Sequence, residues 1–320
     1  MKDIKEIGIV LILILITIGC SPSNQASTED DTELTTYTTI YPVQYAAERI
    51  AGDTVSVETV YPPGVDEHSY ELTSQDMTKI VESDAFIYLG AGLEALAETA
   101  AETLSSQEVK LIEIGQHNEL FVPTEEGRVD EDKHAGESND SDRHDDGEVD
   151  PHIWLDPLRM IELSQIIKEE LIALNPDEEA TYNENFAALE AELTALDQNF
   201  SDILGEKEKK QILVSHAAFG YWEERYDIEQ ISIKGLSSSS EPSQKELTEI
   251  IDQAEESNLD YILYEQNSLN RISEVIQEQI GAESLTIHNL SVLTEEDIEN
   301  DEDYFYLMNY NLDILVKATQ

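Results

Sequence analysis

Two series of short apolar strands, each followed by helical segments, most constrain what this chain can fold into. Strands that alternate with helices form parallel sheets with crossover helices, and ligands of such folds bind at the carboxyl ends of the strands. We therefore predict an α/β fold of two lobes, each with a mostly parallel sheet flanked by helices. The predicted strands are residues 34–41, 55–60, 85–89 and 109–114 in the first series, and 211–215, 230–233, 261–265 and 285–288 in the second.

A long helical region separates the two series. Residues 158–174 have helical periodicity that ends at Asn175-Pro176, and residues 177–204 carry apolar side chains at spacings of three and four. A helix of this length would span about 40 Å, which suits one rigid helix that joins two lobes. The predicted domains are an N-terminal α/β lobe at 34–175, a connecting helix at 176–205 and a C-terminal α/β lobe at 206–320.

The first twenty residues have the pattern of an export signal. Lysines precede an apolar run at 7–18, which is too short for a transmembrane helix of about 20 residues. Cys20 follows a glycine at the end of this run, as in the cleavage site of a bacterial lipoprotein. We therefore expect a signal peptide at 1–19, a lipidated Cys20 and a flexible tether at 20–33. Because Cys20 is the only cysteine, an intramolecular disulfide is excluded.

The formal net charge of −52 at pH 7 is extreme for a chain with 40% hydrophobic residues. Such a negative field disfavours nucleic acid and anionic membrane surfaces as partners, and it favours a cation. An acidic surface also suits a saline habitat, because dissolved salt screens the repulsion between surface carboxylates. At an ionic strength of 1 M, charges more than about 3 Å apart are largely screened. We take the habitat as the first explanation of the charge.

Three histidines lie in constrained turns close to predicted strand ends, a placement that suits metal ligands. His68 follows two prolines and a glycine in a loop, His152 lies between two Asp-Pro pairs, and His216 directly follows a buried strand. Three imidazoles select a borderline ion such as Zn²⁺ over Ca²⁺ and Mg²⁺, which prefer oxygen ligands. Cu²⁺ and Ni²⁺ could also bind such a site. The alternative for each histidine is a structural role at a strand end.

An acidic segment at 124–150 interrupts the alternation of strands and helices. Asp and Glu dominate this segment, which also contains His134 and His144. We expect a solvated loop whose histidines capture a divalent cation weakly and raise its concentration near His152. The alternative is an acidic insertion in which the histidines are incidental.

Four motifs occur in order along the chain: YPPGVDEHSY at 61–70, DPHIWLDP at 150–157, SHAAFGY at 215–221 and EPS at 241–243. Together they resemble the signature segments of bacterial high-affinity zinc-uptake substrate-binding lipoproteins of the ZnuA/AdcA type. The resemblance implies two α/β lobes joined by a rigid helix, with a metal ion in the cleft between them. It also implies that His68, His152 and His216 are the metal ligands. His216 favours zinc, because members selective for manganese tend to have a carboxylate at this position.

The fourth metal ligand departs from the pattern of many relatives. Those relatives have an acidic ligand near the last strand, where the matching position in this chain is Ser291. Glu67, which adjoins the first histidine, or a water molecule is the first alternative. His288 and Glu265 are further candidates.

These observations predict an extracytoplasmic receptor that captures Zn²⁺ as its transported ligand and delivers it to the permease and ATPase of an ABC-type importer. We expect a monomer without enzymatic activity or nucleic-acid binding, anchored through lipidated Cys20 to the outer face of the bacterial cytoplasmic membrane. One alternative is a manganese receptor of the same family. Another is a zinc hydrolase with Glu67 or Glu265 as general base, although the HExxH motif is absent. A third is a surface adhesin without transport.

The net charge also predicts that the protein is less stable at low ionic strength. Carboxylates repel one another more strongly in the compact folded state, and added salt weakens this repulsion. The thermal unfolding temperature should therefore rise between dilute buffer and about 1 M NaCl. An unfolding temperature that stays constant across this range would contradict the prediction.

Overall fold

Two parallel four-stranded sheets form the framework of the computed structural model, which describes residues 34–122, 149–237, 242–266 and 271–319. The strands are β1 Leu34–Thr38, β2 Val55–Thr59, β3 Ala85–Tyr88, β4 Lys110–Glu113, β5 Gln211–His216, β6 Glu229–Lys234, β7 Tyr261–Glu265 and β8 Glu283–Ile287. Their order is β2-β1-β3-β4 in the first sheet and β6-β5-β7-β8 in the second. Neighbouring strands run parallel in both sheets, which confirms the predicted α/β class.

The helices connect and flank these strands. They are α1 Tyr41–Ala51, α2 Ser74–Glu82, α3 Ala95–Leu104, α4 Pro157–Leu174, α5 Glu179–Gly205, α6 Gly220–Tyr226, α7 Gln244–Glu256, α8 Arg271–Ile280, α9 Glu295–Glu299 and α10 Tyr304–Ala318. Because both sheets are built from strand-helix-strand connections, the carboxyl ends of neighbouring strands lie on the same edge of each sheet. That edge is where the constrained histidines were predicted.

Most predicted strand bounds shift by one or two residues, whereas the first strand and one short helix differ more from the prediction. The first strand ends at Thr38 instead of residue 41, because α1 begins at Tyr41 with Pro42 in its first turn. Proline is favoured there, since it has no N–H to leave unpaired and its φ already suits a helix. The short helix α9 was not predicted, and a capping box between Thr294 and Asp297 defines its start.

Helix α5 is 27 residues long and packs against helices from both parts of the chain. It contacts α1 and α4 on one side of the sequence and α6 and α10 on the other. Its buried face repeats at spacings of three and four, as predicted, and consists of Tyr182, Phe186, Leu189, Leu193, Leu196, Phe200 and Leu204, with Asp197. One face of this long helix is therefore part of the hydrophobic core.

Residues near the end of the chain return to the first sheet. The backbone N–H of Tyr41 donates to the carbonyl of Ser291 at 2.7 Å, and that of Gly64 donates to Leu293 at 2.9 Å. The ring of Tyr304, the first residue of α10, stacks on Tyr45 of α1 at a centroid distance of 5.6 Å. The segment 291–304 thus closes one side of the site that lies at the strand ends.

The predicted signal peptide at 1–19, Cys20 and most of the acidic segment, including His134 and His144, lie outside the described residues. Within the described ranges, no helix combines the length and apolar character that a membrane crossing requires.

Asp297 links the cap of α9 to His288, which suggests a pH-dependent contribution to stability. Its Oδ2 accepts hydrogen bonds from the N–H of Thr294 at 2.6 Å and from Nε2 of His288 at 3.0 Å. Burial alone would raise the pKa of Asp297, but these hydrogen bonds outweigh it and lower the pKa to about 2. Ionised Asp297 therefore stabilises the folded state above its unfolded pKa of about 3.9, and this contribution is lost as pH falls towards 2.

We expect Asp297→Asn to reduce the free energy of unfolding at pH 7 by about 1–2 kcal/mol, because the cap loses its charge-assisted hydrogen bonds. Urea denaturation at pH 7, 4.5 and 3 should show the difference from the wild type shrinking at the lowest pH. Asp301→Asn, at an exposed position just after α9, is the control. A difference that is constant from pH 7 to 3 would show that the charge of Asp297 does not stabilise the fold.

Candidate metal centre

Three histidines from distant parts of the sequence meet at the carboxyl ends of the strands. One ring nitrogen from each of His68, His152 and His216 lies within 4.8 Å of the other two. His216 is the last residue of β5, His68 lies in the loop after β2, and His152 precedes a short 3₁₀ turn at Ile153–Leu155. His152 and His216 are buried, with 0% and 2% of their surface exposed. The structure thus brings together the three histidines that the sequence singled out.

The pair formed by His152 and His216 has the spacing of two ligands of one metal ion. Their Nε2 atoms are 3.4 Å apart. Two nitrogens that bind a tetrahedral Zn²⁺ at about 2.0–2.1 Å are separated by about 3.3–3.4 Å. The donors present therefore fit such an ion without rearrangement of this pair.

Each histidine of this pair is oriented by a buried carboxylate. Nδ1 of His152 donates to Oδ1 of Asp150 at 2.8 Å, and Nδ1 of His216 donates to Oε1 of Glu265. A proton on Nδ1 leaves the Nε2 lone pair available to a cation, and such outer partners tune metal sites. The sequence predicted Glu265 as a possible ligand but missed Asp150, although its place two residues before His152 was visible in the motif.

Electrostatics favour a cation between these groups. Burial would raise the pKa of Glu265, but His216 and the hydrogen bonds from Ser215 and Asn289 lower it below its usual value. Burial would lower the pKa of His216, but Glu265 raises it. A proton on Nε2 of His216 can then donate to His152, and a bound metal ion would replace that proton.

The segment that carries His152 is fixed mainly by residues from later in the chain. Trp154 Nε1 donates to the carbonyl of Asn289 at 2.7 Å, and Trp222 Nε1 donates to that of Leu155 at 2.8 Å. The Tyr304 hydroxyl donates to the carbonyl of Trp154 at 2.6 Å. Although His152 falls within the predicted N-terminal lobe, the two residues Trp154 and Leu155 that follow it closely are hydrogen-bonded to Trp222, Asn289 and Tyr304, so this segment is held by the later part of the chain.

His68 reaches the pair from a loop at the end of β2. Its Nε2 is buried and has no hydrogen-bond partner among the described residues. Burial, followed by the proximity of His152 and His216, lowers the pKa of His68 to about 4. The ring is therefore neutral at pH 7 and able to coordinate a cation. Its loop turns at Gly64, where φ is 71°, a conformation that favours glycine.

Glu67 lies beside His68 but outside the close cluster of nitrogens. Its Oε1 is 3.9 Å from Nε2 of His68, is buried, and has no hydrogen-bond partner in the described part of the chain. Burial raises the pKa of Glu67 to about 7, because hydrogen bonds to the carboxylate offset only part of its lost hydration. Ser291 lines the same cavity of about 100 Å³, and its hydroxyl donates to Oδ1 of Asn289 at 2.8 Å.

The other candidate ligands have different partners. Nε2 of His288 lies 3.0 Å from Asp297, and its Nδ1 accepts the N–H of Leu290 at 2.9 Å. Both ring nitrogens are therefore engaged away from the three histidines. Both carboxylate oxygens of Glu265 accept hydrogen bonds, Oε1 from His216 and Oε2 from Asn289 at 2.7 Å. Among the described residues, the group of ligand atoms that lie within 4.8 Å of one another includes neither His288 nor Glu265.

Comparison with known proteins identifies relatives that are named for zinc. The sequence model of the ZnuA family, described as zinc-uptake complex component A, periplasmic, matches residues 36–318. The chain is 32% identical to zinc-binding lipoprotein AdcA of Streptococcus pneumoniae over 98% of its own length, but it spans only 61% of that relative. It is 27% identical to the high-affinity zinc uptake system protein ZnuA of Bacillus subtilis, covering 98% of this chain and 97% of that protein.

A solved structure has the same fold over nearly all of its length. The Zn(II)-bound ZnuA-like domain of S. pneumoniae AdcA superposes with a TM-score of 0.70 at 31% identity, covering 90% of this chain and 99% of that domain. These relatives are named for zinc binding or zinc uptake and not for catalysis. The match of the family model to nearly the whole described chain, on a fold that brings three histidines together, shows that this chain belongs to the ZnuA family.

Proposed function

We propose that this chain is an extracytoplasmic receptor that captures Zn²⁺ with His68, His152 and His216 and delivers it to an ABC-type importer. The observation that carries the proposal is the convergence of three ring nitrogens within 4.8 Å. Neutral imidazoles suit Zn²⁺, whereas Mn²⁺ prefers oxygen ligands, so the nitrogen of His216 favours zinc over manganese. The zinc-binding and zinc-uptake names of the relatives support the same ligand.

In this proposal the metal lies in a cleft between two lobes at 34–175 and 206–320, joined by a connecting helix at 176–205. The loop with His68 comes from the first sheet, and His216 ends a strand of the second. One ion bound to both would hold the two parts together, and separating them would release it. Lipidated Cys20 would keep the receptor at the outer face of the membrane, beside the importer's permease.

We expect His216→Ala to weaken zinc binding by at least about 100-fold, because losing a direct ligand should cost no less than losing an outer hydrogen-bond partner. Competition against a chelator of known affinity measures the effect, with Mn²⁺ tested in parallel as a competitor. His117→Ala, at an exposed histidine away from the site, is the matched control. The proposal fails if His216→Ala retains the affinity of the wild type, or if Mn²⁺ displaces Zn²⁺ at equal concentration.

We also propose that Glu67 supplies the fourth ligand. Its unpaired Oε1 faces the site 3.9 Å from His68, and bound Zn²⁺ would favour its ionised form. Glu67→Gln, which keeps the size but removes the charge, should weaken zinc binding about 10-fold or more. Glu71→Gln, at an exposed position a few residues further along the chain, is the control. If a water molecule completes the site instead, chelator competition will give Glu67→Gln the affinity of the wild type.

A further inference from the structure

Gly220, the first residue of α6, lies against the carboxylate that orients His152. A Cβ atom at this position would lie 2.5 Å from Oδ2 of Asp150, closer than such atoms approach in proteins. Unlike Gly64, Gly220 does not have the positive φ that requires glycine. A helix forms at least as well with alanine at most positions. Asp150 therefore occupies the space that a side chain at this position would need.

Asp150 is held between Gly220 and the histidine that it orients. Its Oδ1 accepts both the backbone N–H of His152 at 3.0 Å and Nδ1–H of the same residue at 2.8 Å. Its carbonyl accepts the hydroxyl of Tyr221 at 2.6 Å. The carboxylate thus has little room to move without losing a bond to His152.

The same short segment of chain carries one metal ligand and positions the partner of another. His216 ends β5, and four residues later Gly220 faces Asp150. A displacement of Asp150 would release Nδ1 of His152, so that its Nε2 would no longer be held 3.4 Å from that of His216. The spacing of the two nitrogens therefore depends on the contact between Gly220 and Asp150.

We infer that Gly220 is a positioning residue of the metal site. Because it has no side chain, it leaves room for Asp150, whose hydrogen bond fixes the tautomer and direction of His152. The affinity of the site for the cation therefore depends on Gly220. This inference rests on the proposed zinc-binding function, but it concerns residues that do not touch the metal. It predicts that adding one methyl group at position 220 weakens zinc binding although all three histidines remain.

The test compares Gly220→Ala, Asp150→Asn and the double variant with the wild type. Gly205→Ala is the control, because a Cβ at this helical glycine would meet no atom within 4 Å. Chelator competition measures the zinc affinity, and the visible absorption of the Co²⁺ form reports the coordination geometry. Thermal unfolding without metal shows whether each variant retains its fold.

Gly220→Ala and Asp150→Asn should each weaken zinc binding about 10- to 100-fold and alter the Co²⁺ spectrum, as expected when the hydrogen-bond partner of a ligating histidine is lost. Both changes act through the same contact, so the double variant should bind about as weakly as the worse single variant. Gly205→Ala should match the wild type. Wild-type affinity and Co²⁺ absorption in a folded Gly220→Ala, or additive losses in the double variant, would overturn the inference.

These outcomes separate the inference from the proposed function. If His216→Ala abolishes zinc binding but Gly220→Ala does not weaken it, only the role of Gly220 is lost; if the wild type binds no zinc, the proposed function itself fails. If the variants do not fold, a measurement on the wild type tests the hydrogen bond between His152 and Asp150 on which the inference rests. In the ¹⁵N NMR spectrum of the zinc-loaded protein, His152 should bind through Nε2 and keep a proton on Nδ1. Coordination through Nδ1 would exclude the hydrogen bond to Asp150 and the role of Gly220 with it.

Discussion

The 3.4 Å separation between Nε2 of His152 and Nε2 of His216 is the constraint on which the site depends. Two buried nitrogen lone pairs at this distance repel each other unless a proton or a cation lies between them. Asp150 and Glu265 hold the two rings in this arrangement through hydrogen bonds to Nδ1, and so place a carboxylate on the side of each ring opposite Nε2. A divalent ion bound to these imidazoles would therefore be compensated in part by Asp150 and Glu265, which would not need to coordinate it.

Burying these polar groups would destabilise the fold if they lacked partners. The surrounding aromatic residues supply partners and apolar packing at once. Trp154 and Trp222 are fully buried, yet the N–H of each indole donates to a backbone carbonyl near the site. These hydrogen bonds thus belong to the same core that stabilises the fold, so the segment that carries His152 is held in place by packing as well as by hydrogen bonds.

The alternation of strands and helices predicted the α/β class and the existence of the long helix, because these depend on local periodicity. It also placed His68, His152 and His216 at constrained turns near strand ends. The sequence pattern around a residue could not reveal its contacts with residues far away in the chain. Tyr304 and Trp154 are 150 residues apart in the sequence, and nothing near either residue predicts their hydrogen bond. For the same reason the sequence left His288 and Glu265 among the candidate ligands, whereas their ring and carboxylate atoms are engaged by Asp297, Leu290, His216 and Asn289.

The hydrogen bond from Tyr304 to Trp154 has a consequence for the order in which the molecule matures. A chain that folds from its N-terminus completes its first sheet before α10 emerges. Until α10 emerges, the carbonyl of Trp154 lacks the hydroxyl of Tyr304 as its hydrogen-bond donor. The segment that carries His152 therefore reaches its final arrangement only after residues 289–304 have packed against it, which requires almost the whole polypeptide.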